Sequence, residues 1–388
     1  MSVPQVATRV SPRRMAVVLG MLEIFGPISM DLYLPALPRL ATDLRTSESL
    51  AQATMSVCML GLAFGQLVVG PLSDRLGRRR PLLAGVGLFA VLSLVCAVAP
   101  SIWLLLVARF LQGLCGSAGI VISLAVARDL AHGVELARLL ALLTTVGAIA
   151  PIVAPVVGGQ LAAVMDWRGI FVVLAGIGVA LFVLALTCLP ESAPPKSAGR
   201  EFGVLLRDRL FLRFLFVNMF GGAAFFTYLA SVSFVLQNSY TLTPQWFSVC
   251  FAANAVMAVL GAQLNRALVR RLGLVRMYTV ATVTTALAGT AMLVTVLFDA
   301  GLVAFLIPLA LLMFATGGAQ SNGSALALAD HGDRAGTAAA LLGTSLFALG
   351  PVVAPLVSLG GAGPLSMSLT MTAGYGLAAA LVWGGPRR

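Results

Sequence analysis

The chain has 388 residues, 59% of them hydrophobic and only 10% charged, with 40 glycines and a mean hydropathy of +0.99. No soluble globular domain has this composition. A net charge of +11 raises the question of a nucleic-acid partner, but the placement of the basic residues answers against it.

A bilayer span takes roughly 20 apolar residues, and the chain divides into twelve such runs near 15–38, 50–72, 82–100, 103–126, 136–164, 168–189, 210–237, 246–266, 276–298, 302–328, 335–359 and 366–385. The expected fold is therefore an all-α integral membrane protein with twelve transmembrane helices. The first run follows Arg13 and Arg14 as a secretory signal would, yet it contains Glu23, Pro27 and Asp31 and lacks a small-residue cleavage site, so it reads as a retained helix. After the second run comes Gly70-Pro71-Leu72-Ser73-Asp74-Arg75-Leu76-Gly77-Arg78-Arg79-Arg80-Pro81. This reads as a short basic turn bounded by helix breakers, in which Asp74 is neutralised by an arginine or a helix N-terminus.

Twenty-one of the 25 Lys and Arg residues fall on one side once the N-terminus is placed inside; only Arg39, Arg45 and Arg168 fall outside, and Arg109 lies within a span. By the positive-inside rule both termini are expected in the cytoplasm, with no basic residues left over for nucleic acid. Cys58, Cys96, Cys115, Cys188 and Cys250 all lie in apolar runs without CxxC spacing and read as small packing residues. His132 and His331 read as solvated loop residues, and neither a metal site nor a cofactor is expected. No Walker loop is present, so ATP is not expected as the energy source.

Ala150-Pro151-Ile152-Val153-Ala154-Pro155 recurs as Gly350-Pro351-Val352-Val353-Ala354-Pro355, and Gly261 to Gly273 echoes the first basic turn, with Asn265 set against Asp74. Two repeated features suggest two six-helix bundles in the same orientation, 1–190 and 210–388, joined by a polar cytoplasmic linker at 191–209.

Inside the spans stand Glu23 and Asp31 in the first helix and Arg109 in the fourth. Intramembrane charges are costly and are functional candidates by default; the competing reading is a fixed ion pair. Eight helical residues rise about 12 Å and turn about 80° past two circuits, which sets the two acids on neighbouring faces at different depths. Desolvation favours the neutral acid and an approaching guanidinium favours the carboxylate. A rearrangement that alternates these surroundings makes the group take up and release a proton.

These residues resemble the major facilitator superfamily across the whole chain. Gly70 to Arg80 is similar to the family's loop between helices 2 and 3. Arg109-Phe110-Leu111-Gln112-Gly113 is similar to its helix 4 signature, and Ala154-Pro155-Val156-Val157-Gly158-Gly159 to its helix 5 antiporter signature. The A-P-x-x-A-P-x-x-G-G form, Met30 to Pro38 in helix 1, and Ala335-Gly336-Thr337-Ala338 after Asn322-Gly323 resemble the Bcr/CflA drug-resistance branch.

The resemblance implies two bundles related by a pseudo-two-fold axis and a monomeric, multi-pass protein of the bacterial inner membrane. It is expected to act not as an enzyme but as a proton-coupled antiporter exporting small amphipathic antibiotics, chloramphenicol-like or bicyclomycin-like. The alternative is a proton-coupled exporter of a metabolite such as an amino acid or siderophore. Proton coupling is carried over to Asp31 and Glu23 with Arg109. Gly70, Asp74, Arg75, Gly77 and Arg78 with Asp129 resemble the cytoplasmic charge relay that gates the two halves. Pro151, Pro155, Gly158 and Gly159 are expected to kink helix 5 and admit a close helix of the other half; ordinary packing by small residues is the competing reading. A substrate cavity is expected near the midplane between the bundles, walled by Glu23, Asp31, Tyr33, Met59, Gln112, Asn218, Phe225, Phe226, Tyr228, Asn254, Gln320 and Asn322.

Overall fold

The computed structural model describes residues 12–131, 135, 139, 143, 153–189, 191, 205–329, 335–357, 361 and 363–383. Pro151, His132, His331 and most of the 191–209 linker lie outside the described residues. The described residues form α1 (Pro12–Asp31), α2 (Leu37–Asp43), α3 (Glu48–Leu76), α4 (Arg79–Ala97), α5 (Ile102–Leu130), α6 (Val153–Val164), α7 (Trp167–Cys188), α8 (Arg209–Phe234), α9 (Pro244–Leu272), α10 (Leu274–Leu297), α11 (Gly301–Leu328), α12 (Ala335–Leu346), α13 (Gly350–Val357) and α14 (Pro364–Trp383). Among them nine helices are long and apolar enough to cross a bilayer, the pair Met15–Gly26 and Ile28–Asp43, bent by 42°, passes the same test together, and Val153–Val164 and Leu341–Ala354 are shorter apolar stretches. In order, these fall on the twelve apolar runs.

Helix starts follow local chemistry. The side chains of Ser47, Ser101, Asp166, Asp208 and Thr243 each accept a hydrogen bond from a backbone N–H in the first turn of α3, α5, α7, α8 and α9, satisfying donors that the helix itself leaves free. Leu, Val and Phe side chains point outward along most helices, as a lipid-facing surface requires.

Two expectations change. The segment beginning at Gly70 is not a loop: α3 runs through Pro71 to Leu76, and only Gly77 and Arg78 form the turn. Pro71 removes one backbone bond, a cost of about 3 kcal/mol, which the long packing of α3 on α5 offsets. The eleventh run, expected as one span, is interrupted between Leu346 and Gly350, and Pro351 stands in the first turn of the second piece, where its missing N–H costs no helix bond.

The helices pack as two sets. α3 and α4 pack on α5, with α7 against α4 and α1 against α5; α9 and α10 pack on α11, with α14 against α10 and α8. The repeat is visible in α3 and α9. Both have 29 residues, both start on a hydroxyl N-cap, and both end on a glycine in the left-handed region, Gly77 at φ +84° and Gly273 at φ +83°. Aligning these ends gives an offset of 196 residues, so Asn265 stands opposite Val69 and not, as the sequence suggested, opposite Asp74.

Candidate functional site

Arg109 is fully buried on α5, and its surroundings are neutral. Its Nη1 donates to Gln112 Oε1 at 2.5 Å and to the Ser29 carbonyl at 3.4 Å, and its Nε donates to the Thr54 carbonyl at 3.4 Å. The guanidinium lies 4.6 Å from the centre of the Tyr33 ring and 5.5 Å from that of Phe171, close enough for cation–π attraction. Its Nη2 is buried without a hydrogen-bond partner. Gln112 is held in turn by donating to Ser93 Oγ at 2.7 Å. The Tyr33 hydroxyl lies 3.0 Å from Thr54 Oγ1, whose own hydrogen goes to the Ala51 carbonyl. Tyr33 is thus sealed over Arg109, and Met59 is buried in the same core.

Among the described residues no carboxylate lies within 4.0 Å of Arg109, so the fixed ion pair weighed from the sequence is not formed with Glu23 or Asp31. Glu23 is half-buried, with Oε2 buried and unpartnered. Asp31 is 6% exposed at the end of α1 and lies within electrostatic range of Tyr228 on α8. One residue further, the Leu32 carbonyl meets Gly158 of α6: a Cβ at that glycine would sit 2.0 Å from the oxygen. A Cβ on the adjacent Gly159 would sit 2.1 Å from Ser248 Oγ of α9. The paired glycines let α6 touch α1 on one side and α9 on the other, while Pro155 is buried in the same helix.

On α8, Tyr228 stacks on Phe251 at 5.7 Å and accepts a long hydrogen bond from Asn254 Nδ2 at 3.4 Å; Phe225 and Phe226 extend this cluster to Phe347. Asn322 is elsewhere. It exchanges hydrogen bonds with Asn265, 2.7 Å in one direction and 2.9 Å in the other. Asn218 donates to the Leu342 carbonyl and to Ser345 Oγ. Asn218, Phe225 and Gln320 line a small cleft of about 70 Å³ whose described walls come from residues 214–378. Glu23, Asp31, Tyr33, Met59, Gln112, Tyr228, Asn254 and Asn322 do not line it.

At the opposite pole of α3, Arg78 bridges two helices. It meets Asp74 Oδ1 at 2.5 Å and Asp129 Oδ2 at 3.0 Å and donates to Ser73 Oγ at 2.8 Å. Burial opposes its charge, but the bonds and charges of Asp129 and Asp74 outweigh that and hold its pKa above the ordinary value. Gly77 adopts its left-handed turn against the Glu191 carboxylate, which also accepts from the Arg79 N–H at 3.2 Å. Arg75 is exposed, and Gly70 accepts from the Ser73 hydroxyl through its carbonyl.

Residues 34–48 meet α8 and its π-helical extension Val235–Ser239: Ser233 donates to the Leu34 carbonyl at 2.6 Å, Gln237 to that of Pro35 at 3.0 Å, and Asn238 to Glu48 at 2.6 Å. Sequence reasoning passed over Ser29, Thr54, Ser93 and Phe171 around Arg109, and Glu191 at the turn. Small hydroxyls in apolar runs are too common to single out, and Glu191 is a lone charge after a span.

A buried, charge-bearing helical bundle of this kind is the build of a multi-pass membrane transporter. The sequence pattern described as Major Facilitator Superfamily matches residues 19–355, and the chain belongs to that family. Its relatives include an uncharacterized MFS-type transporter, YdgK, of Bacillus subtilis, 39% identical over 89% of this chain and 88% of the relative. A bicyclomycin resistance protein homolog of Haemophilus influenzae is 30% identical over 88% and 87%. The multidrug resistance protein MdtL of Klebsiella pneumoniae is 30% identical over 61% and 62%. Among solved structures, the nucleoside transporter NupG superposes with a TM-score of 0.75 at 12% identity, covering 96% of this chain and 98% of that one. A bacterial homolog of the lysosomal transporter Spinster, inward-facing, gives 0.73 at 17%, covering 96% and 97%. At these identities the structures show the fold; family and neighbours are membrane transporters rather than enzymes.

Proposed function

We propose that the chain is a proton-coupled antiporter of the bacterial inner membrane that exports small neutral or amphipathic antibiotics by alternating access. It has both termini in the cytoplasm and two moving halves, 1–190 and 210–388. The observation that carries this reading is Asp31. It is a buried carboxyl group in a span, placed where α1, α6 and α8 meet, and it has no salt bridge to the buried guanidinium of Arg109. A group so placed changes its surroundings whenever the two halves move. Protonation on one side and release on the other then couples a proton to each cycle, driven by about 2.3 kcal/mol per charge per 100 mV plus the pH difference. Glu23 and Arg109 are the other intramembrane charges assigned to the same coupling cycle.

In the proposed topology the Leu34–Glu48 contact with Ser233–Asn238 lies at the periplasmic end, so the structure is closed to the outside, and Arg78 with Asp74 and Asp129 marks the cytoplasmic gate. The drug-resistance names of two relatives support the substrate class. The test is accumulation of labelled chloramphenicol in efflux-deficient bacteria carrying wild type or Asp31→Asn, before and after the proton gradient is collapsed. Lower accumulation only in energised wild-type cells is expected. Undiminished uphill export by Asp31→Asn would overturn the coupling role.

A further inference from the structure

The cleft in the second half exists because a plug present in the first half is missing. In the first half, Phe25 and Phe89 meet edge to face at 4.7 Å and, with Leu22 and Val86, fill the space between α1, α4 and α5. Carrying the 196-residue offset of the α3 and α9 ends over to α1 and α4 sets Asn218 against Leu22, Gly221 against Phe25, Thr282 against Val86 and Thr285 against Phe89. All four line the cleft. A Cβ built on Gly221 meets nothing within 4 Å. Small and polar residues thus stand where the other half is filled by apolar ones, and an unfilled polar hollow is unfavourable to keep in a membrane bundle unless something occupies it.

The chemistry of the wall defines the occupant. Among the described residues no charged side chain lines the cleft. The hydroxyl hydrogens of Thr282, Thr285 and Thr316 are committed to backbone carbonyls at 2.8–2.9 Å, so their oxygens are left as acceptors. The Tyr375 hydroxyl is buried and makes no hydrogen bond of normal geometry, although Thr316 stands beside it. Phe214, Phe225 and Leu346 supply apolar wall.

We propose that this cleft, formed by the second half alone, is a binding site for uncharged amphipathic molecules bearing hydroxyl or amide hydrogens and an aromatic or aliphatic body. Its described walls offer a cation no carboxylate, so a neutral occupant is favoured. The proposal rests on the exporter reading above and adds to it a substrate site separate from the acids of α1.

The test is equilibrium binding of radiolabelled chloramphenicol, a neutral molecule with hydroxyl and amide hydrogens, to the purified full chain in nanodiscs without a gradient. Gly221→Phe restores the missing plug and is expected to weaken binding by at least about tenfold. Tyr375→Phe, nearly isosteric, is expected to weaken it by roughly 2- to 10-fold. Val303→Ala, at an exposed position of α11 outside the cleft, is expected to bind as wild type. Three results would each overturn the site: no binding by wild type, unchanged affinity in Tyr375→Phe or in a folded Gly221→Phe, or displacement of chloramphenicol by the cation tetraphenylphosphonium. Failure of proton coupling is read separately, as uphill export retained by Asp31→Asn with binding intact.

Discussion

Gly158 and Leu32 are in backbone contact: a single Cβ on the glycine would stand 2.0 Å from the Leu32 carbonyl oxygen, and that carbonyl follows directly on Asp31. The helix 5 signature is therefore a steric condition on where the end of α1 can sit. Gly158→Ala is expected to push α6 and α1 apart, lowering stability by about 1–3 kcal/mol and abolishing export. Thermal unfolding and the accumulation assay together check this, and wild-type values in both would refute it.

Arg78 ties α3 to α5 through Asp129, whose side chain is only 7% exposed. Arg78→Ala removes the guanidinium from that buried carboxylate and is expected to cost on the order of 2–4 kcal/mol, whereas Arg78→Lys keeps the charge but not the fork and should fall between. Denaturation of the three proteins in the same detergent gives the order.

Gln112 provides Arg109 with its shortest hydrogen bond. Gln112→Leu is expected to destabilise the chain by about 1.5–3 kcal/mol, the range for a lost bond to a charged group. Gln112→Glu instead supplies a carboxylate and is expected to hold Arg109 in a fixed pair. Export by that variant at wild-type rate would count against a functional role for the unpaired guanidinium.

Asn265 and Asn322 bond to each other in both directions. Replacing either one with Leu leaves a buried amide unmatched, at about 1–3 kcal/mol. The double replacement is expected to cost clearly less than the two singles together, and a double-mutant cycle measures the difference. Strict additivity would show that the pair contributes nothing as a pair.

Glu48 and Asn238 join the two halves at 2.6 Å. If the halves must separate there in each cycle, Glu48→Cys with Asn238→Cys, bridged by a short reversible thiol cross-linker, stops export, and reduction restores it. Continued export by fully cross-linked protein would show that this contact never opens.

Hydropathy and charge placement along the chain are enough to fix the class of the molecule and its local form. Span positions, the basic turn and the helix caps follow from hydropathy and short-range hydrogen bonding, which depend on residues within one helix of each other. The charges at Glu23, Asp31 and Arg109 were conspicuous for the same reason, because a bilayer makes any charge in a span costly. Only the tertiary structure decided their partners. Arg109 turns to Gln112, Ser29, Thr54 and Tyr33 and not to an acid, because the rotation of α5 against α1 and α3 is set by contacts between distant residues. α3 survives Pro71 because its packing on α5 outweighs one lost bond. The cleft beside Gly221 and Thr285 lies within the second half. That outcome depends on which side chains fill a shared volume, and no single stretch of sequence specifies a volume that five helices enclose together.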